Sequence, residues 1–197
     1  MRTIIQEAGS EADLVTGRAF GPLEALSTDF TQLEYEGGSA WLMLTVDIHS
    51  KVALGWAVGP RRNRELALEC WEQTTERLDK LGSGTEGLIV HSDQDSVYTS
   101  YAWIRRLLLE DRARVSYSER GCKDNPWIES LWGRMKNEIG SRIAESQNLK
   151  ELEALFEEHV EYYNLDRRHS STLQEPPARY LDQLLTGADP VATLSAA

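Results

Sequence analysis

The most informative stretch of the sequence is AWLMLTVDIHSKVALGWAV, residues 40–58. Its first part, residues 40–48, is an apolar run with β-branched members, which is typical of a strand buried on both faces. A short polar turn follows, and residues 52–58 then form a second strand that closes before Pro60. Residues 26–35 precede the stretch as another strand, so the three together predict an antiparallel meander.

Helical spacing begins after the meander and alternates with short apolar runs. This order of elements predicts an α/β fold in which a five-stranded mixed sheet is flanked by helices. The expected elements are a helix over residues 67–81, a strand over 88–91, a helix over 100–110, a strand over 115–118, and helices from Pro126, over 148–164 and over 180–185.

The composition is that of an ordinary globular domain. Of 197 residues, 41% are hydrophobic and 27% charged, which argues against disorder. No apolar run reaches the roughly 18 residues of a membrane-spanning helix, and no signal peptide is visible. Two cysteines are too few for a disulfide framework. We therefore expect a cytoplasmic protein without a membrane partner.

The charge balance alone disfavours a nucleic-acid-binding protein. The formal net charge is −11, whereas such proteins usually carry a basic surface. The distribution qualifies this, because residues 101–142 hold nine basic and six acidic side chains.

Three acidic residues occupy unusual positions. Asp29 lies inside the first strand, where aspartate is depleted. Asp93 ends the fourth strand, where ligands bind in open α/β sheets. Glu129 lies in the first turn of the helix that opens at Pro126, with 35 residues between it and Asp93. Carboxylates are ligands for Mg²⁺ or Mn²⁺, and two such ions can assist a phosphoryl displacement.

Each carboxylate also has a structural interpretation. Asp29 could bond to a neighbouring strand, Asp93 could close a turn, and Glu129 could complement the positive end of its helix. One of them alone is more often structural than catalytic, and it is their joint occurrence in this order of elements that favours a metal site.

The motifs around these residues resemble those of the Asp-Asp-Glu transposases of insertion sequences and of retroviral-type integrases. The resemblance rests on Thr28–Thr31, His91–Asp93 with Tyr98–Ser100, and Val115–Ser130, and continues in Tyr163-Asn164, Arg167-Arg168-His169 and Pro176-Pro177. It implies a ribonuclease H-like fold and assigns Asp29, Asp93 and Glu129 as the catalytic metal ligands.

The resemblance also implies a function and a domain division. It implies a polynucleotidyl transferase that cleaves and joins DNA strands during transposition, with two Mg²⁺ or Mn²⁺ ions in each active site. The partners would be transposon-end and target DNA, with a homo-oligomer as the active form, associated with the nucleoid when bound to DNA. The core would span residues 25–182, with an arm or linker at 1–24 and a tail at 183–197.

Two departures from the family pattern follow Asp93. Gln94 and Asp95 stand where many relatives have a basic residue and a glycine. The loss of a positive charge there puts DNA affinity in question more than metal binding.

Several residues are candidates for contact with DNA phosphates. Lys136 lies two helical turns after Glu129 on the same face, although it could belong to a solvated helix face, which is the interpretation we prefer for Arg134. For Arg167, Arg168 and His169, capping of helix carbonyls is an equal alternative. The complete set expected to contact DNA is Arg120, Lys123, Asn125 (also a plausible N-cap), Lys136, Arg167, Arg168 and His169.

Two other functions remain open from the sequence. One is a catalytically inactive core that acts as an assembly module. The other is a ribonuclease H-like nuclease without strand transfer. The intact carboxylates disfavour the first, and the C-terminal motifs disfavour the second.

Overall fold

The computed structural model describes residues 13–118 and 125–187. The strands are β1 (Ala25–Tyr35), β2 (Gly38–Asp47), β3 (Ala53–Gly59), β4 (Ile89–Ser92) and β5 (Arg114–Tyr117). The helices are α1 (Arg64–Lys80), α2 (Tyr101–Arg105), α3 (Pro126–Glu145), α4 (Leu149–Leu165) and α5 (Pro177–Thr186). One π-helical turn, Arg106–Glu110, continues α2, and a 3₁₀ turn, Ser170–Thr172, precedes α5.

The five strands form one mixed sheet in the order β3-β2-β1-β4-β5. β1, β2 and β3 pair antiparallel, whereas β4 pairs parallel with β1 and with β5. The register places Ser27 opposite His91, so the residues that follow these two lie near each other at one edge of the parallel pair. The predicted meander and the predicted mixed sheet are confirmed.

Helices cover both faces of the sheet, because side chains alternate between the two faces along each strand. On one face α1 and α2 bury a cluster that includes Phe30, Trp71 and Trp103. On the other face α3 and α4 bury a second cluster that includes Trp132 and Phe156. β1 is central and contributes to both clusters, so Asp29 lies in the most enclosed strand of the fold.

The described part of the expected arm, residues 13–24, packs against the sheet. Leu14 and Val15 are buried with Ile48 and Ile89. The backbone N–H of Leu14 donates to Ser116 Oγ at 2.9 Å, which ties this segment to β5. Within the described residues, no helix has the length and apolar composition needed to cross a membrane.

Candidate active site

Asp29 lies in the middle of β1, half-buried and facing α3. Its Oδ2 accepts a hydrogen bond from the indole N–H of Trp132 at 3.1 Å. Burial raises the pKa of Asp29 to about 6, against the opposing effect of that indole and of the Phe30 backbone N–H. The negative charges of Asp93 and Glu129 raise this pKa further. Asp29 is therefore an acidic group held where its ionised form is unfavourable without a counter-charge.

Asp93 follows the last residue of β4 and is half-buried. Its Oδ1 accepts the backbone N–H of Asp95 at 2.9 Å, which fixes the turn that leaves the strand. Gln94 donates from its side chain to Ser118 O at 3.1 Å, and Asp95 pairs with Arg62 at 3.1 Å. The two residues that depart from the family pattern thus hold the loop beside Asp93 in place.

Glu129 lies in the first turn of α3 with an exposed side chain. The beginning of α3 is tied to β1 by Asn125, whose side chain accepts from Ser27 Oγ and donates to Thr28 O at 3.4 Å. Asn125 occupies the expected N-cap position of α3, but its side chain makes no cap hydrogen bond because its amide bonds to β1 instead. Asn125 is only 2% exposed, so the group expected to contact DNA is used internally.

The charges of the three carboxylates interact, but the side chains do not form a closed coordination shell. The negative charges of Asp93 and Glu129 both raise the pKa of Asp29. The described residues nevertheless contain no group of three His, Cys, Asp or Glu side chains placed to hold a metal ion. The donors fit Mg²⁺ or Mn²⁺ in chemistry, since these ions take carboxylate oxygens. An ion bound there would also relieve the repulsion that the Asp29 pKa records.

The basic residues expected to contact DNA are in different situations. Lys136 is exposed on α3. Arg120 and Lys123 lie outside the described residues. Arg168 is exposed, whereas Arg167 is half-buried and donates from Nε to Glu138 Oε1 at 2.7 Å. That ion pair joins the segment after α4 to α3.

His169 is buried and enclosed by cations. Arg134 donates to its Nε2, and its Nδ1 lies 2.8 Å from the Ser171 hydroxyl oxygen, within hydrogen-bonding distance. Burial, followed by the positive charges of Arg134, Arg167 and Lys51, lowers the pKa of His169 to about 4. The imidazole is neutral at physiological pH and serves to anchor the C-terminal segment.

The Tyr163-Asn164 motif fastens α4 to the edge strand. Asn164 accepts from the backbone N–H of Ala53 and donates to its carbonyl, both at 2.9 Å. The Tyr163 hydroxyl donates to Lys51 O at 3.0 Å. These bonds explain why this pair of polar residues ends an otherwise amphipathic helix.

Trp132 is the site residue that sequence analysis did not identify. Its side chain is 5% exposed and packs in the cluster between the sheet and α3. Its bond to Asp29 had one available signal, namely its position one helical turn after Glu129, where side chains i and i+3 share a face.

Models of the integrase core domain match this chain in two segments. One covers residues 21–122 and the other residues 112–177. The first alone spans more than half of the chain and includes Asp29 and Asp93.

Similar curated proteins are transposases and products of insertion elements. The chain is 27% identical over 161 residues to the transposase for insertion sequence element IS904 of Lactococcus lactis, covering 81% of this chain and 62% of that protein. It is 29% identical over 156 residues to transposase InsF for insertion sequence IS3A of Escherichia coli K12, covering 77% of this chain and 51% of that protein. The chain thus spans about half to three fifths of these relatives.

Two of the solved structures that share this fold are retroviral. The HTLV-2 integrase catalytic core domain, determined in complex with magnesium in a dimeric form, has a TM-score of 0.64 at 15% identity and covers 83% of this chain and 99% of that one. A chain of the simian T-cell lymphotropic virus intasome, in complex with PP2A regulatory subunit B56 gamma, gives 0.66 at 14% identity, covering 83% and 56%. The ribonuclease H-like fold expected from the motifs is confirmed.

Proposed function

Because the chain belongs to the integrase core domain family, we propose that it is the catalytic core of a transposase that cleaves and joins DNA strands. Asp29, Asp93 and Glu129 are the residues that would hold divalent metal. The observation that carries the proposal is the match of the integrase core domain model to residues 21–122, which include Asp29 and Asp93. Burial raises the pKa of Asp29, and the negative charges of Asp93 and Glu129 add smaller contributions in the same direction. Such a concentration of negative charge beside a central strand is costly unless a cation binds.

Two bound Mg²⁺ or Mn²⁺ ions would activate the attacking oxygen and stabilise the leaving oxygen of the phosphodiester. The chain supplies the geometry. In this proposal β1 presents Asp29 and the turn after β4 presents Asp93. The bonds of Asn125 to β1 hold the beginning of α3 where Glu129 would face the same edge. Lys136, farther along α3, would contact a phosphate and position the DNA.

We further propose the partners and setting that accompany this chemistry. The DNA partners are transposon ends and target, bound also through Arg120, Lys123, Arg167 and Arg168. The active form is a homo-oligomer, and the protein acts in the cytoplasm at the nucleoid. Residues 25–182 are the catalytic unit, with flanking segments at 1–24 and 183–197. The net charge of −11 opposes binding to DNA, so we expect the isolated core to bind weakly.

The test compares Asp93→Asn with the matched control Asp95→Asn, two residues along the same loop. Cleavage and joining of labelled element ends are measured with Mg²⁺ or Mn²⁺. Asp93→Asn should reduce both by at least about 100-fold, because a charged metal-ligand oxygen is removed. Asp95→Asn should retain activity within about threefold. Equal activity in the two variants would exclude Asp93 as a ligand.

Thermal melts with and without metal distinguish the alternative functions. Metal should stabilise the parent by mass action and Asp93→Asn less. An inactive assembly core is indicated if metal stabilises neither protein and neither cuts DNA. A nuclease is indicated if the parent cleaves element ends but joins none.

A further inference from the structure

The indole of Trp132 makes a specific contact with Asp29. The ring lies in the apolar cluster between the sheet and α3, and its N–H donates to Asp29 Oδ2 at 3.1 Å. Within the described residues, this is the one side chain that hydrogen-bonds to Asp29, and no cation forms an ion pair with it. A buried indole N–H needs an acceptor, and here the acceptor is the carboxylate in the centre of the sheet.

The same helix carries both Trp132 and Glu129. α3 therefore meets β1 through two polar contacts, from Asn125 to Ser27 and Thr28 at its beginning and from Trp132 to Asp29 one turn after Glu129. The two contacts fix the position of α3 along β1 and its rotation about its own axis. The position of Glu129 relative to Asp29 follows from both.

We propose that Trp132 is a positioning residue for the metal site, which orients the Asp29 carboxylate and couples it to the helix that bears Glu129. The proposal rests on the function proposed above. Trp132 would act as an outer-shell donor, which holds one oxygen of a ligating carboxylate in a fixed direction. The carboxylate then loses less conformational entropy when the metal binds.

The molecule contains a matched control for this bond. Trp71, on the opposite face of the sheet, donates its indole N–H to Asp111 Oδ2 at 2.6 Å. Trp71 is fully buried and lies on α1, in the cluster that excludes Trp132. Trp71→Phe and Trp132→Phe each remove one indole–carboxylate bond while keeping an aromatic ring, and one of the two bonds involves the proposed site.

The first measurement follows the indole N–H signals by NMR while Mn²⁺ is added. The Trp132 signal is identified by its absence from Trp132→Phe, and the Trp71 signal by its absence from Trp71→Phe. A paramagnetic ion held by Asp29 should broaden the Trp132 signal at sub-stoichiometric Mn²⁺ and broaden the more distant Trp71 signal much less.

The second measurement is Mg²⁺ affinity and cleavage kinetics of the variants. Trp132→Phe should weaken Mg²⁺ binding and lower kcat about 10-fold, with the KM for DNA unchanged. Trp132→His places a ring N–H close to the position of the indole N–H. Its Mg²⁺ affinity and kcat should lie within about threefold of those of the parent. Trp71→Phe should match the parent in metal affinity, kcat and KM.

The outcomes separate this proposal from the proposed function. If Mn²⁺ broadens the Trp132 signal but Trp132→Phe keeps its metal affinity and kcat, the positioning role is wrong and the metal site stands. If Trp132→His is as impaired as Trp132→Phe, the ring acts through packing and the role is again wrong. If saturating Mn²⁺ leaves the Trp132 signal sharp, no metal binds at Asp29 and both proposals fail.

Discussion

The two faces of the sheet each contain a buried tryptophan bonded to an aspartate, but the two aspartates differ in their surroundings. Asp111, which accepts the Trp71 indole N–H, also accepts a hydrogen bond from Arg106 Nε at 2.8 Å. Asp29, beneath Trp132, has no ion pair among residues 13–118 and 125–187, and the charges near it are those of Asp93 and Glu129. The positive charge of Arg106 compensates the negative charge of Asp111, so the Trp71–Asp111 pair has a structural role. The described residues provide no such cation for Asp29, which is consistent with its proposed role as a metal ligand.

The comparison is tested most strongly by removing each carboxylate. Asp29→Asn should lower the rate of DNA cleavage by about 100-fold or more. Asp111→Asn should cleave DNA at a rate within about twofold of that of the parent. The reason is that only Asp29 is a proposed ligand, while Asp111 holds Trp71 and Arg106. The assay is metal-dependent cleavage of labelled element ends by each purified variant. A comparable loss in both variants would erase the distinction between the two faces.

The pH dependence of stability sharpens the same distinction. The pKa of Asp29 is raised from 3.8 to about 6 in the folded chain, so folded protein binds more protons than unfolded protein between these values. Stability from this group is therefore present below pH 4 and lost as the pH rises through 6. In metal-free buffer at pH 8, Asp29→Asn should be more stable than the parent by about 2 kcal/mol, at 1.36 kcal/mol for each pKa unit discounted for partial exposure.

Urea denaturation of the parent and Asp29→Asn from pH 4 to pH 8, with a chelator present, measures this difference. The advantage of the variant should shrink toward zero near pH 4. A stability difference that stays constant over this range would mean that Asp29 does not titrate as its surroundings require.

His169 is the counterpart of Asp29 with the charges reversed. It is a basic group near cations, whereas Asp29 is an acidic group near anions. Its pKa is lowered from 6.5 to about 4, so the unfolded chain binds the extra proton. Stability from His169 is present above pH 6.5 and is lost as the pH falls toward 4. The loss should be about 1–2 kcal/mol after allowance for solvent screening.

Replacement of His169 by glutamine isolates this effect. The amide can accept from Arg134 but does not titrate, so His169→Gln should lose less stability than the parent between pH 7 and pH 5. Urea melts at the two pH values provide the measurement, and parallel losses in the two proteins would contradict the prediction.

The smallest expected effect concerns Lys136, an exposed cation two helical turns after Glu129 on α3. Lys136→Ala should weaken DNA binding by less than about tenfold and reduce the salt slope by about one ion. Lys150, exposed near the beginning of α4, is the control, and Lys150→Ala should bind as the parent does. Binding to labelled duplex at several salt concentrations tests both, and equal slopes in the two variants would remove Lys136 from the interface.

The sequence by itself was sufficient for the order of elements and for the five-stranded mixed sheet. The apolar runs of β2 and β3 and the helical spacing in α1, α3 and α4 indicate burial directly, because a strand covered on both faces is apolar throughout and a helix covered on one face is apolar at its own period. The positions of Asp29 on a strand, Asp93 at the end of a strand and Glu129 on a helix followed from the same patterns. The proximity of their charges required the parallel pairing of β4 with β1.

The tertiary structure alone decided what the polar side chains near the site contact. The sequence predicts Asn125 as a helix cap or a contact to DNA and His169 as a contact to DNA or a cap of helix carbonyls, and it gives Trp132 no polar partner. In the fold, Trp132 donates to Asp29, 103 positions away, Asn125 bonds to β1, 98 positions away from Ser27, and His169 is neutral beside Arg134. Periodicity determines which side of an element is buried, but the partner of a buried polar group is set by the packing of elements distant in the chain.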